Sequence, residues 1–430
     1  MFTLTASRQG TNCDGTSRRD FLRIGALGLG SLALPSLLRA RSSESSLSRS
    51  PSVVWLWLGG GAPHIETFDP KMSAPVEYRS VTGSVKSSIP GIELGGNFEK
   101  IAQLADKIAI VRSFSHTNSG HGGGTHWVMT GHDYPAADNG AEPNRPGLGS
   151  LVSRFRGPSA SSGLPNYIRF RNILGDGPSW LGQPFAPFDV NGKARDNMVL
   201  RGSLDRLEDR KSLLKQFDTL DRSLDRGGLM NGLDSFEAQA YDLIMSRSKQ
   251  VFSIEEESLK VRERYGKGIG EQLLLARRLA ENGVGFVTIH SSGWDMHGSL
   301  KVGMDRLGPT IDQAVSAFLD DCALRGLDRD ILLVITGEFG RTPKLNTAAG
   351  RDHWPLLSTL AFAGGGLRMG QVIGESSLKA ETPKSRPITP QDLMATLFLF
   401  LGLPHELQYQ DQTGRPIPMI DGGRPIRELF

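Results

Sequence analysis

Short runs that are wholly or mostly apolar, bounded by glycine or polar residues, recur along the chain, at residues 53–58, 108–111, 284–289, 331–335 and 358–363. Such runs read as strands buried on both faces of a parallel sheet. Between them the apolar period lengthens to that of a helix. Leu307, Ile311, Ala314, Val315, Phe318 and Cys322 fall on one helical face, and Gly326 is a fitting stop. Residues 98–105 look helical, and residues 270–282 form an amphipathic helix that feeds the strand at 284. Residues 393–401 are apolar nearly all round, as in a buried helix, with Thr389 and Asp392 as its cap. Strand, loop, helix and strand from 284 to 335 make a β-loop-α-β unit, right-handed by default. The alternation predicts an α/β fold with a mostly parallel sheet. Residues 195–265 break it: they are charged, poor in β-branched side chains and helically patterned at 204–224, 235–247 and 254–265. Ser253 and Glu256 read as a capping box there. This block is expected to be a helical insertion or cap beside the site.

Open α/β sheets bind ligands at the carboxyl ends of their strands. The run at 331–335 leads into Thr336-Gly337-Glu338, then through a loop to Arg351-Asp352-His353-Trp354. The run at 284–289 leads into His290 and Trp294-Asp295-Met296-His297. Two strands that each end in carboxylate plus imidazole can bring Asp295, His297, Glu338 and His353 to one rim, a set of the kind that binds metal. The competing reading is four unrelated polar residues on solvated loops. Mixed Asp and His donors favour zinc or manganese over calcium. Three glycines follow the first strand, and His64, Glu66 and Asp69 come next. After residue 111, His116, His121, His126 and His132 supply four of the nine histidines of the chain. The glycines at 122–124, followed by Thr125, can start a helix whose amides face an anion. Arg341 or Arg351 can pair with an oxyanion in fork geometry, or form a structural salt bridge. Trp294 and Trp354 flank the expected ligands, as packing walls or as a surface for a sugar ring.

The amino end changes the picture. Ser17-Arg18-Arg19-Asp20-Phe21-Leu22 is a twin-arginine pattern, followed by a glycine-diluted apolar run at 24–38 and by Arg39-Ala40, suited to cleavage. That run is shorter than the roughly twenty residues a bilayer needs, so no stable membrane span is expected after cleavage. Residues 1–40 read as an export signal, 41–50 as a Ser-rich linker and 51–430 as the mature domain, periplasmic or secreted. The chain has 49 Lys and Arg against 46 Asp and Glu; the signal holds five and two, which leaves 44 of each. A neutral mature chain supplies no drive toward nucleic acid or membrane surfaces. Cys13 leaves with the signal, so Cys322 has no intramolecular partner and a core must stabilise the fold.

Several motifs together carry a family resemblance: the twin-arginine start, Thr67-Phe68-Asp69-Pro70-Lys71, Ile110-Val111-Arg112-Ser113, Gly293-Trp294-Asp295 with His297, Gly337-Glu338-Phe339-Gly340-Arg341-Thr342-Pro343, Gly350-Arg351-Asp352-His353-Trp354-Pro355 and Gly414-Arg415-Pro416. Across nearly all of the mature chain they resemble the exported family called domain of unknown function 1501. That family is similar in architecture to the alkaline phosphatase and sulfatase superfamily. The resemblance implies a three-layer αβα sandwich around a mostly parallel sheet. It also implies a metal held by Asp295, His297 and His353. For the superfamily's second metal, Glu338 stands for an Asp, but Phe339 stands where a His is expected, and glycines follow the first strand where an Asp is expected. His64, His116, His121 or Glu66 would have to rebuild that site, so one metal is better supported than two. Where sulfatases carry the Cys or Ser that becomes formylglycine, this chain has His121; Thr117, Ser119 and Thr125 are the other nucleophile candidates. The expected activity is metal-dependent hydrolysis of a phosphate or sulfate ester, small-molecule or glycan. Catalytic candidates are Thr125, His121, Arg341 and Arg351; metal candidates are Asp295, His297, Glu338, His353, His64 and His116. The alternative is a degenerate relative that binds carbohydrate or polyanion without turnover. Nothing in the sequence points to a protein partner.

Overall fold

The computed structural model describes residues 50–159, 162–191, 248–404, 408–410 and 414–430. The twin-arginine segment, the linker up to residue 49, the helices expected at 204–224 and 235–247, and His405 lie outside the described residues.

Eight strands build the central sheet: β1 (Ser52–Gly59), β2 (Ile108–Val111), β3 (Tyr167–Arg169), β4 (Phe188–Asp189), β5 (Phe286–Ser292), β6 (Ile331–Thr336), β7 (Leu360–Gly364) and β8 (Gln371–Ile373). Their order across the sheet is β8-β2-β7-β6-β1-β5-β3-β4. Every pairing is parallel except those of β7, which runs against both β2 and β6. The connection explains the exception. A parallel partner for β6 needs a long crossover back to the opposite edge. The chain from 337 to 359 instead forms a small hairpin at the edge where β6 ends, and returns directly as β7. Periodicity alone does not distinguish such a strand from its parallel neighbours.

β1 is buried along its whole length, because it carries apolar side chains on both faces. Val54, Leu56 and Leu58 face one core with Leu273, Ile311 and Val315. Val53, Trp55 and Trp57 face the other with Val128, Leu151 and Leu397. Burying each Val or Leu contributes about 1.5–3 kcal/mol, so the middle of the sheet is its most strongly held part. Helices α1 (His121–Thr130), α2 (Leu148–Arg156) and α5 (Pro390–Leu401) cover the second face, and α3 (Ile269–Glu281) and α4 (Leu300–Leu324) cover the first. The result is a three-layer αβα sandwich. Among the described residues no helix is long and apolar enough to cross a membrane.

Local signals explain most helix ends. Thr389 Oγ1 accepts from the Asp392 amide (3.2 Å) and Asp392 Oδ2 accepts from the Thr389 amide (3.1 Å), so α5 starts at a closed capping box. Gly326, just beyond α4, takes a left-handed φ of 65°. The Ser253 cap does not form: Ser253 Oγ donates to Glu255 Oε2 (2.6 Å). The stretch divides into a 3-10 turn at Ile254–Glu256 and a helix at Leu259–Tyr265. Ser258 caps that helix by accepting from the Val261 amide at 3.3 Å. Cys322 is buried on the inner face of α4, and burial pushes its thiol pKa up, away from reactivity.

Candidate metal centre

β5, β1 and β6 are neighbours, so the loops leaving their carboxyl ends emerge side by side. Gly60 leaves β1 with φ 109°, and a Cβ there would stand 2.5 Å from the Asp295 amide nitrogen. Only a glycine lets the loops after β1 and β5 approach so closely. Beyond β6, Gly340–Arg341 pairs antiparallel with His353–Trp354, with Arg341 opposite His353. This two-residue ladder carries His353 back over the strand ends.

Arg341 sits beneath this junction and is fully buried. Its Nε donates to the Gly61 carbonyl (3.0 Å), its Nη1 to the Arg351 carbonyl (3.0 Å), and its Nη2 to the Gly60 carbonyl and to Asp295 Oδ1. Burial opposes ionisation of Asp295, but the guanidinium and the facing imidazoles prevail and hold its pKa at about 2. Asp295 is therefore an anion at any pH near neutrality.

Three imidazoles converge on that carboxylate. His297 Nδ1 lies 2.6 Å from Asp352 Oδ1, His353 Nδ1 lies 2.8 Å from the Ser119 carbonyl, and His121 Nδ1 lies 2.8 Å from Glu338 Oε1. Each partner can only accept, so each Nδ1 carries the hydrogen. In the neutral rings the bare Nε2 atoms then point inward. His297 Nε2 is 3.0 Å and His353 Nε2 is 3.2 Å from Asp295 Oδ1, and the two nitrogens are 3.1 Å apart. His121 Nε2 is 3.4 Å from Asp295 Oδ2. His121, Asp295 and His353 also form such a group, each offering a ligand atom within 4.8 Å of the others. The Glu338 hydrogen bond raises the His121 pKa, whereas burial and then Arg341 lower that of His353. The side chains of His121, Asp295 and His297 are 42%, 44% and 47% exposed, so the cluster opens to solvent.

Glu338 is buried behind His121 and also accepts from the Gly60 amide at 2.8 Å, while its Oε2 has no hydrogen-bond partner. Phe339 fills the place where a second-metal His is expected, with its ring 4.4 Å from that of His353 and 5.1 Å from that of His121.

Other expected residues lie elsewhere. His116 does not reach the cluster: its Nε2 donates to the Glu338 carbonyl (2.6 Å), its Nδ1 accepts from the Asn118 amide (3.2 Å), and burial lowers its pKa to about 4. It clamps the backbone of Glu338. His64 is also separate. Its Nε2 donates to the Ala380 carbonyl at 3.2 Å, its Nδ1 has no partner, and burial lowers its pKa to about 4. Thr125 is buried one helical turn beyond His121. Arg351 faces away from solvent in a buried pair: Nε and Nη2 each lie 3.2 Å from Glu66 Oε1, and the remaining donors go to the carbonyls of Thr342, Pro343 and Arg79. Neither arginine presents a fork to an oxyanion. Trp294 is fully buried and its Nε1 donates to Ser291 Oγ (3.1 Å), as a packing wall would. Two contributors were missed, Asp352 and the Ser119 carbonyl. A carboxylate directly before a candidate ligand histidine was the available signal for the first; nothing in the sequence marks a carbonyl.

Solved structures resemble the chain at low identity. The sulfatase PsFucS1 from Pseudoalteromonas sp. is 13% identical, over 91% of this chain and 73% of that one, with a TM-score of 0.39. The phosphonate monoester hydrolase SpPMH from Silicibacter pomeroyi is 12% identical, over 88% and 76%, with a TM-score of 0.40. Alkaline phosphatase from the Antarctic bacterium TAB5 is 12% identical, over 83% and 99%, with a TM-score of 0.35. At these scores the likenesses add nothing to the reading of the site. No curated protein matches the sequence. Residues 50–430 match the family model described as protein of unknown function (DUF1501), and the chain belongs to that family.

Proposed function

We propose that the protein is an exported, metal-dependent hydrolase of phosphate or sulfate esters. One observation carries the reading: Asp295 Oδ1, His297 Nε2 and His353 Nε2 form a triangle of acceptors with edges of 3.0, 3.1 and 3.2 Å. Three acceptors with no hydrogen among them repel one another, and a cation at their centre turns that repulsion into attraction. Ligands 2.0–2.1 Å from a tetrahedral ion stand about 3.3 Å apart, close to these edges. Two nitrogens and one oxygen suit zinc first and manganese second. Three protein ligands leave a position open, as in catalytic rather than structural sites. A divalent ion bound there would polarise the ester oxygen and acidify water.

The remaining chemistry belongs to the chain. Arg341 keeps Asp295 ionised and oriented. Asp352 and the Ser119 carbonyl fix the tautomers of His297 and His353. His121, held by Glu338, offers Nε2 as the base that takes a proton from the attacking water and returns one to the leaving alcohol. Thr125, buried in α1, has no part in this scheme.

Elemental analysis tests the assignment. The purified mature protein is expected to hold one metal per chain. His297→Ala and His353→Ala are expected to lose it, and unchanged content in both would sink the proposal. His121→Ala is expected to keep the metal while kcat falls about 10²–10⁴-fold. The 4.8 Å grouping of His121 with Asp295 and His353 favours a second reading, a closed site in a protein that binds carbohydrate or polyanion without turnover. Loss of metal from His121→Ala would favour that reading.

A further inference from the structure

We infer that the centre selects esters carrying a single negative charge and disfavours dianions; the inference rests on the hydrolase reading above. It follows from where the described residues commit their cations. Arg341 is buried and committed to three carbonyls and to Asp295. Arg351 is buried and committed to Glu66 and three carbonyls. The amino end of α1 is taken as well: Asp138 Oδ1 accepts from the Gly123 amide (2.7 Å) and Asn118 Oδ1 from the Gly120 amide (2.8 Å). A helix terminus that would otherwise receive an anion already holds the chain's own carboxylate.

The charges around the centre therefore have a definite balance. Among the described residues, Asp295, Asp352 and Glu338 are three carboxylates in contact with the histidines, and Arg341 is the one guanidinium among them. With the imidazoles neutral their net charge is minus two, which one divalent cation would cancel. Among the described residues no positive surplus remains for a second charge on the substrate. Arg171 stands further out, donating to Ser292 Oγ (3.3 Å) on the exposed rim, where solvent and salt screen it. A sulfate monoester or a phosphate diester brings one negative charge; a phosphate monoester near pH 8 brings two.

The reaction balances for either monoanion. Water adds its oxygen to sulfur or phosphorus, and the bond to the ester oxygen breaks. The alcohol departs with one proton through His121, and the second proton goes to solvent. Each product anion carries one charge more than its substrate, so the balance that admits the ester also expels the product.

Zinc-loaded protein assayed at pH 8 on 4-nitrophenyl sulfate, bis(4-nitrophenyl) phosphate and 4-nitrophenyl phosphate tests the inference. The better of the two monoanions is expected to exceed the dianion in kcat/KM by about tenfold or more; which monoanion leads separates sulfate from diester chemistry. Calorimetry with methyl sulfate, dimethyl phosphate and methyl phosphate on zinc-loaded His121→Ala reads the same preference without turnover. With zinc saturating, Asp352→Asn is expected to move the ratio about tenfold toward the dianion. A dianion preferred in turnover and in binding overturns the inference and leaves the hydrolase standing. No turnover of any ester with zinc bound overturns the hydrolase, and the binding preference then decides charge selection alone.

Discussion

Two ionic clusters in this molecule use the same residue types in opposite ways. Beneath α3 and α4, Arg277 is fully buried with Nη2 2.7 Å from Glu257 Oε1 and Nε 3.0 Å from Asp321 Oδ2. Arg278 and Arg325 contact Glu257 at 2.6 and 2.8 Å, and Arg325 also reaches Asp321 at 2.9 Å. Donors and acceptors alternate there, so every charge meets its opposite and the network locks two helices together. At the strand ends the order is different. Asp295, His297 and His353 turn acceptors toward acceptors, while their hydrogens point outward to Asp352 and to a carbonyl. The first cluster is complete by itself; on the reading proposed above, a cation would complete the second. Alternation marks a structural network, and convergence of like atoms marks a site.

Removing Arg277 sharpens this contrast most. Arg277→Met leaves buried carboxylates short of one partner, at a cost of about 3 kcal/mol in urea unfolding, the low end for a broken buried pair because Arg278 and Arg325 remain. Its metal content is expected to be unchanged; a stability loss below about 1 kcal/mol would mean that the network does not lock the helices. Asp352→Asn tests the other side. It should change stability little and weaken zinc affinity about 10–100-fold in competition with a chelator, because His297 loses the acceptor that fixes its tautomer. The smallest effect concerns pH. Glu338 raises the His121 pKa, so His121 stays protonated, and inactive as a base, up to a higher pH than an unassisted imidazole. Glu338→Gln removes that cause, and the acid limb of the kcat profile is expected to move to lower pH. A limb that stays in place, or moves up, would remove His121 from the role of base.

The sheet and the donors at its edge were readable from sequence for one reason. Uninterrupted apolar runs mark strands buried on both faces, and polar residues that directly follow them must lie on the rim. That reasoning reaches Asp295, His297, Glu338 and His353, which lie together. It fails where function depends on contacts across hundreds of residues. Arg351 and Arg341 looked like anion forks, yet Glu66 and the carbonyls of Gly60 and Gly61, which consume them, come from the first strand's loop. Nothing local to residue 341 or 351 marks those partners. The reversed direction of β7 was hidden likewise, since it depends on a returning loop rather than on the strand's own residues.

Arg341 has one more consequence. A single guanidinium fastens segments that leave β1, β5 and β6. Protein contacts alone thus fix the places of these side chains, and on the reading proposed above metal uptake would be a capture step without a coupled folding step. Insertions into the outer loops would leave this keystone in place, so the mouth of the site can be reshaped without rebuilding its floor.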